Sequence, residues 1–197
     1  CGDPSLDVTE QIVYAMADAG ADLIELGIPF SDPTAEGPVI QGANLRALKG
    51  GVTTDKIFAL VEELRKDVTI PLVFMTYANV VFSYGTDRFL ARAAEVGVDG
   101  IILPDGLDFI SLIAPTSEHR IAAIAREAEG FLYLVSSLGV TGTRSEITTD
   151  LSSIVNAVRE NTQIPCAIGF GISTPEQAGQ MSQLADGVIV GSAIVKL

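Results

Sequence analysis

The sequence predicts an α/β protein, a (β/α)8 TIM barrel from which several pieces are missing. Seven short, almost continuously apolar segments alternate with segments whose apolar residues recur at helical spacing. Strands that are apolar on both faces are typical of a parallel sheet covered by helices. No Gly-x-Gly-x-x-Gly pattern follows the first strand, which favours closure into a barrel over an open dinucleotide-binding sheet. With 48% hydrophobic residues, the chain is expected to form one domain, residues 1–197.

Three helix–strand units are predicted in the first half of the chain. The helices carry their apolar residues at positions 8, 12, 13 and 16; at 57, 60, 61 and 64; and at 89, 93 and 96. The strands that follow them are predicted at 23–28, 72–76 and 100–103. Gly20 can end the first helix in a left-handed conformation. Thr53 or Thr54 is expected to cap the second helix, and Thr86 the third.

The second half repeats the alternation. Strands are predicted at 109–113, 131–135, 166–169 and 187–190. Helices are predicted around apolar positions 121, 124 and 128; around 151, 154, 155 and 158; and after the capping box Ser173-Thr-Pro-Glu176. The same kind of junction joins a helix end to a strand three times, at Gly20-Ala-Asp22, Gly97-Val-Asp99 and Leu184-Ala-Asp186.

Three pieces of a complete barrel are missing from this pattern. No strand precedes the opening loop Cys1-Gly-Asp-Pro4, and the chain stops at Leu197, just inside a helix start. Only Gly106 and Leu107 separate Asp105 from Asp108, whereas parallel neighbouring strands need a crossover of about a dozen residues. We therefore expect a barrel without its first strand, one crossover helix and its C-terminal end.

Composition excludes several classes of function. A formal charge of −13 without any basic run argues against nucleic acid or an anionic membrane as a partner. No segment has the roughly 18–20 apolar residues of a membrane span, and no signal peptide is recognisable. Two cysteines and one histidine are too few for a metal cluster or a disulfide framework, which favours a cytoplasmic protein. A phosphate would have to be bound by backbone N–H groups.

The segment 25–41 carries the strongest signal of chemistry. Glu25 is a carboxylate on an otherwise apolar strand, where a charge is costly unless it is hydrogen-bonded or used. Asp32 and Glu36 follow in a loop rich in proline and glycine, and taken alone they are equally well explained as surface acids. Two acids in different environments suit general acid–base catalysis.

Glycine-rich loops follow the last three strands, at 138–144, 169–173 and 190–194. Late loops and a short extra helix often bind phosphate in barrels, because glycine lets the backbone approach the anion. Ser192 begins such a helix, and its N–H groups and dipole would favour an anion. Each loop alone also suits an ordinary turn, and Arg144 is most simply a surface charge.

The motifs together resemble the tryptophan synthase α subunit family. They are Glu-Leu-Gly-Ile-Pro-Phe-Ser-Asp-Pro at 25–33, Gly-Pro-Val-Ile-Gln at 37–41, Met-Thr-Tyr-Ala-Asn at 75–79, Gly-Val-Thr-Gly at 139–142, Gly-Phe-Gly-Ile-Ser at 169–173 and Gly-Ser-Ala-Ile-Val at 191–195. The resemblance runs along the whole chain. It implies a barrel enzyme of tryptophan biosynthesis, a lyase that cleaves indole-3-glycerol phosphate to indole and glyceraldehyde 3-phosphate by a retro-aldol step.

The resemblance also implies a role for individual residues. Glu25 would be the acid–base catalyst, and Glu36 stands where the family usually has the aspartate that pairs with the indole N–H. Tyr133 and Phe170 match positions that line the indole pocket, although Phe170 is equally well explained as an aromatic residue of the core. Phosphate-binding positions match Gly142, Gly171, Gly191 and Ser192. No metal or organic cofactor is expected on this chain; pyridoxal phosphate is expected only on a partner β subunit, in an α2β2 heterotetramer.

Two other functions remain open on the residues alone. Another phosphate-binding barrel enzyme could act on a small sugar phosphate, but it would need a catalytic Lys or His at a strand end, and none is found there. A non-catalytic fragment, or a subunit that serves to activate its partner, is the other alternative, because three pieces of the barrel are missing.

Overall fold

The computed structural model describes residues 1–33, 36–103, 111–114, 120–128, 130–136, 150–169 and 171–197. The chain divides into two compact units. The first comprises Cys1–Pro33 and Gln41–Leu107, and the second comprises Thr34–Ile40 and Asp108–Leu197.

The first unit contains a parallel three-stranded sheet in the order β1-β2-β3. Its strands are β1 (Ile24–Gly27), β2 (Leu72–Met75) and β3 (Gly100–Ile102). The helices of this part of the chain are α1 (Leu6–Asp18), α2 (Pro38–Lys49, whose residues 38–40 belong to the second unit), α3 (Thr54–Leu64), α4 (Ala78–Tyr84) and α5 (Thr86–Val96). The three predicted strands are therefore confirmed, each within two residues.

One face of this sheet packs on helices and forms the core of the first unit. Leu26, Phe74 and Ile101 are paired across the three strands and belong to one buried cluster with the apolar faces of α1, α3 and α5. Phe58 and Phe89 pack edge-to-face within it, with ring centroids 5.2 Å apart. Because side chains alternate along a strand, the neighbouring positions, including Glu25 on β1, lie on the opposite face.

The second unit contains a parallel four-stranded sheet in the order β4-β5-β6-β7. Its strands are β4 (Leu112–Ile113), β5 (Leu132–Val135), β6 (Cys166–Gly169) and β7 (Gly187–Val188), and its helices are α6 (Ile121–Glu127), α7 (Leu151–Arg159), α8 (Pro175–Met181) and α9 (Ser192–Val195). Leu132, Leu134 and Ile168 share a buried cluster with α6 and α7. The alternation places Tyr133 on the other face of β5.

In both units an aspartate side chain accepts a hydrogen bond from the first backbone N–H group of a strand. In the first unit, Asp99 accepts a hydrogen bond from the backbone N–H of Leu72 at 2.8 Å and pairs with Arg65. In the second, Asp186 accepts from the N–H of Cys166 at 3.0 Å. These carboxylates satisfy the first N–H group of a buried strand, which would otherwise have no partner in the sheet. Two of the three junctions predicted from the sequence, those at Asp99 and Asp186, thus have a structural reason.

Two helix starts differ from the prediction, and two helices were not predicted. Thr86 is the first helical residue of α5 and not its N-cap; Gly85, with φ 94°, stands there. The capping box of α8 is displaced by one residue from the predicted position, because Thr174 and not Ser173 accepts the N–H of Gln177, at 3.2 Å. Helices α2 and α4 were not predicted, since neither presents a repeating run of large apolar residues. None of the helices in the described ranges has the length and apolar run needed to cross a bilayer.

Candidate active site

Glu25 lies near the middle of β1, in register with Val73 of β2. Its Oε1 atom is buried and, within the part of the chain that the structure describes, has no hydrogen-bond partner. Burial raises the pKa of this carboxyl from 4.5 to about 7, because a charged carboxylate loses its hydration there. A buried carboxyl without a partner is costly for folding, so its presence points to a function.

A carboxyl with this pKa is suited to proton transfer. Near neutral pH it is present in both the protonated and the ionised form, so it can both donate and accept a proton. The buried, unpaired Oε1 also leaves the group free to make a hydrogen bond to a ligand. The prediction that Glu25 is a site residue thus rests on polarity in the sequence and on burial in the structure.

The loop after β1 is held by an aromatic contact within the first unit. Phe30 packs against the buried ring of Tyr77, with centroids 5.2 Å apart, and Tyr77 directly precedes helix α4. Asp32 is exposed in the same loop and accepts a hydrogen bond from the Ser31 hydroxyl. Tyr77 is part of the motif at 75–79, but no role was predicted for it. Its position directly after a predicted strand is the one feature of the sequence that could have indicated a role.

Glu36, the second predicted acid, belongs to the second unit. It is partly buried and lies two residues before Pro38, where α2 begins. Gly37, between them, is buried. Position 36 is therefore tied directly to the start of a twelve-residue helix.

Tyr133 is buried on the face of β5 that turns away from the helices. Its ring lies across Gly169 of β6: a Cβ atom added at Gly169 would be only 2.4 Å from the phenol oxygen. Gly169 therefore has to lack a side chain for Tyr133 to take this position. Gly169 was predicted only as part of a glycine-rich loop, because its contact with Tyr133 depends on strand pairing. Phe170 lies outside the described residues.

Of the predicted phosphate-binding residues, three are described and all belong to the second unit. Gly171 has φ 85°, a conformation that favours glycine. Gly191 is exposed, and a Cβ atom there would meet nothing within 4 Å. Ser192 is buried and starts α9. Since α9 has only four residues, individual N–H groups of its first turn matter more than a helix dipole. Gly142 and Arg144 lie outside the described residues.

The described residues do not contain a cluster suited to a metal ion. No group of three or more His, Cys, Asp or Glu side chains in these ranges could hold one. The described side chains predicted for the site, those of Glu25, Glu36, Tyr133 and Ser192, offer carboxyl groups and hydroxyls.

Comparison with known proteins gives consistent matches along the whole chain. The family model described as "Tryptophan synthase alpha chain" matches residues 1–197. The tryptophan synthase alpha chain of Lactiplantibacillus plantarum is 52% identical, and the match covers 100% of this chain and 81% of that protein. A solved structure from Aquifex aeolicus VF5 superposes with a TM-score of 0.91 at 36% identity, covering 100% of this chain and 81% of the other.

A third match is to an assembly. A structure of the tryptophan synthase a2b2 complex from Pyrococcus furiosus is similar with a TM-score of 0.87 at 38% identity, covering 99% of this chain and 86% of the other. These structures confirm the predicted fold class, a (β/α)8 barrel of which pieces are absent.

The length of the sequence match bears on the predicted internal gap. The match to the L. plantarum protein extends over 213 residues, 16 more than the 197 residues of this chain. That relative therefore has at least 16 residues within the matched region that have no counterpart here. The predicted site of the gap, between Asp105 and Asp108, lies outside the described residues.

Proposed function

Because this chain belongs to the tryptophan synthase alpha chain family, which cleaves indole-3-glycerol phosphate to indole and glyceraldehyde 3-phosphate, we propose that Glu25 is the catalytic acid–base of that reaction in this protein. The enzyme is a lyase of tryptophan biosynthesis. The observation that carries the assignment of Glu25 is its buried, unpartnered carboxyl oxygen on β1.

Cleavage moves a proton within the substrate. The ring carbon C3 is protonated first, which places positive charge on the ring. A base then takes the proton of the glycerol hydroxyl, and the C–C bond breaks with its electron pair returning to the ring. The products are the aldehyde of glyceraldehyde 3-phosphate and indole, so no net proton is consumed. Glu25 can take part in both transfers, because burial brings its pKa to about 7.

Glu36 is proposed as the second acid, which accepts a hydrogen bond from the indole N–H. A carboxylate there would stabilise positive charge on the ring nitrogen as C3 is protonated. Compared with the aspartate usual in the family, Glu36 is one methylene longer and carries the same charge. To place its carboxylate at the same point beside the indole N–H, Glu36 needs its backbone to lie farther from the ring than the backbone of an aspartate would.

Binding of the substrate is assigned to the second unit. Tyr133 and Phe170 are proposed to contact the indole ring, and the position of Tyr133 over Gly169 supports this for Tyr133. Gly142, Gly171, Gly191 and Ser192 are proposed to bind the phosphate. The open space beside Gly191 supports its part in this site, since an anion can approach the backbone there.

The proposed partner is a tryptophan synthase β subunit, in an α2β2 assembly. The support is the similarity to the P. furiosus protein, which is described in such a complex. We propose that the β subunit carries pyridoxal phosphate and that the loop Pro29–Pro33 of this chain contacts that subunit. Asp32, exposed at the tip of that loop, would then carry part of the contact.

A turnover assay tests the function. The purified chain is given indole-3-glycerol phosphate, and indole and glyceraldehyde 3-phosphate are measured separately; we expect them in equal amounts. Glu25→Gln should lower turnover by at least about 10²-fold, as expected for loss of a general acid–base. Asp22→Asn, a change of an exposed carboxylate just before the same strand, is the matched control. Wild-type turnover in Glu25→Gln would contradict the proposal.

The partner is tested by adding a β subunit. We expect cleavage to become faster, because docking orders the loop that follows β1. Asp32→Ala should reduce this stimulation and leave the activity of the chain alone unchanged. If the variant is stimulated as strongly as the wild type, the loop is not the contact.

A further inference from the structure

An ion pair joins the first loop of the chain to helix α2. Arg46 donates two parallel hydrogen bonds to Asp3, from Nε to Oδ1 at 2.8 Å and from its terminal nitrogen to Oδ2 at 2.7 Å. This two-pronged geometry fixes both the distance and the orientation of the guanidinium group. Asp3 and Arg46 are far apart in sequence, so the pair ties α2 to a separate part of the first unit.

Two glycines make room for this connection. A Cβ atom at Gly42, one turn before Arg46, would be 3.2 Å from the guanidinium group. A Cβ atom at Gly2, beside Asp3, would be 2.4 Å from the side chain of Val52, just after α2. The first loop thus contacts α2 at Arg46, and it contacts the segment that follows α2 at Val52.

Apolar packing alone holds α2 weakly. Its buried residues are Ala43, Asn44 and Ala47, two of them alanines. Helix α3, by comparison, buries five residues that are all large and apolar: Ile57, Phe58, Leu60, Val61 and Leu64. Since burial energy grows with apolar area, α2 depends more than α3 on polar contacts for its orientation.

We propose that Asp3 and Arg46 are positioning residues for Glu36, because their ion pair orients the helix that begins two residues after it. The proposal rests on the proposed function, in which Glu36 is the second acid. Arg46 lies eight residues into α2, about 12 Å along the axis from its start. A tilt of about 5° about that point moves the helix start by about 1 Å, and such a displacement can lower a rate by up to about 10²-fold.

The pair should matter more for turnover than for stability. The side chain of Arg46 is 60% exposed and that of Asp3 17% exposed. Because the guanidinium group is largely solvated, we expect the pair to contribute only modestly to the free energy of unfolding, even with its two-pronged geometry. A variant without the pair is therefore expected to fold.

The test compares Arg46→Met and Asp3→Asn with Arg92→Met. Arg92 forms an ion pair with Glu62 at 2.7 Å between α5 and α3, and it serves as the matched control. We expect loss of the Asp3–Arg46 pair to lower kcat by about 10-fold and to leave KM within about two-fold. Arg46→Lys, which keeps the charge but not the two-pronged geometry, should fall in between. The midpoint of urea unfolding should shift no more than in Arg92→Met.

A double-mutant cycle shows whether the effect passes through Glu36. In a Glu36→Gln background, Arg46→Met should have almost no further effect on kcat, because the group it positions is already absent. A kcat in Arg46→Met equal to that of Arg92→Met, or the same fold-loss in both backgrounds, would overturn the positioning role and leave the proposed function intact. Wild-type kcat in Glu36→Gln would overturn the proposed role of Glu36, and this inference with it.

Discussion

Replacing Glu25 with glutamine should change how the stability of the protein depends on pH. In the folded protein burial raises the pKa of Glu25 to about 7, whereas the ordinary value is 4.5. Below about pH 4.5 the carboxyl is protonated in both the folded and the unfolded state, and no charge is buried. Between pH 4.5 and about 7 the unfolded chain ionises this carboxyl while the folded protein keeps it protonated, so the stability present at low pH is lost over this range.

The size of the effect follows from the pKa difference. The difference of about 2.5 between the pKa of 4.5 and the pKa of about 7, at about 1.36 kcal/mol for each pH unit, corresponds to about 3 kcal/mol of unfolding free energy. Glutamine has nearly the same shape and does not ionise. The unfolding free energy of Glu25→Gln minus that of the wild type should therefore rise by about 3 kcal/mol between pH 4.5 and pH 8. Taking this difference cancels the contributions of all other titrating groups.

Urea unfolding at several pH values measures this difference. The chain contains no tryptophan, so far-UV circular dichroism is the suitable signal. Asp22→Asn, which removes an exposed carboxylate near the same strand, is the control and should give a curve parallel to that of the wild type. If the Glu25→Gln and wild-type curves are also parallel, Glu25 is not desolvated in the folded protein, and the argument for its catalytic pKa fails.

Three further changes test the binding site and the fold. Gly191→Ala should raise KM for indole-3-glycerol phosphate about 10-fold with an unchanged Tm, because its Cβ enters open space that we assign to the phosphate; an unchanged KM would exclude Gly191 from the site. Gly169→Ala should lower Tm, since its Cβ would collide with Tyr133, and a Tm equal to the wild type would contradict this contact. Asp99→Ala should cost about 1–3 kcal/mol in urea unfolding by leaving the Leu72 N–H without its acceptor, and a smaller loss would show that water replaces it.

Local patterns in the sequence were enough to predict the strands and most helices. Strand positions follow from short apolar runs, and the Thr53 cap follows from a hydroxyl before an apolar helical face; Thr53 does accept the N–H of Lys56. Glu25 could be singled out in the same way, because a carboxylate within an apolar strand is rare. Helical periodicity is weak in the two missed helices, because α2 has few large apolar residues and α4 is only seven residues long.

The environment of each side chain depended on which strands become neighbours. Pairing of β5 with β6 brings Tyr133 over Gly169, and residues 36 positions apart in sequence give no local sign of that contact. The raised pKa of Glu25 likewise comes from burial, and Val73, its neighbour in the sheet, is distant in sequence. Periodicity and capping are properties of a few consecutive residues, whereas desolvation and close packing arise only when separate segments meet.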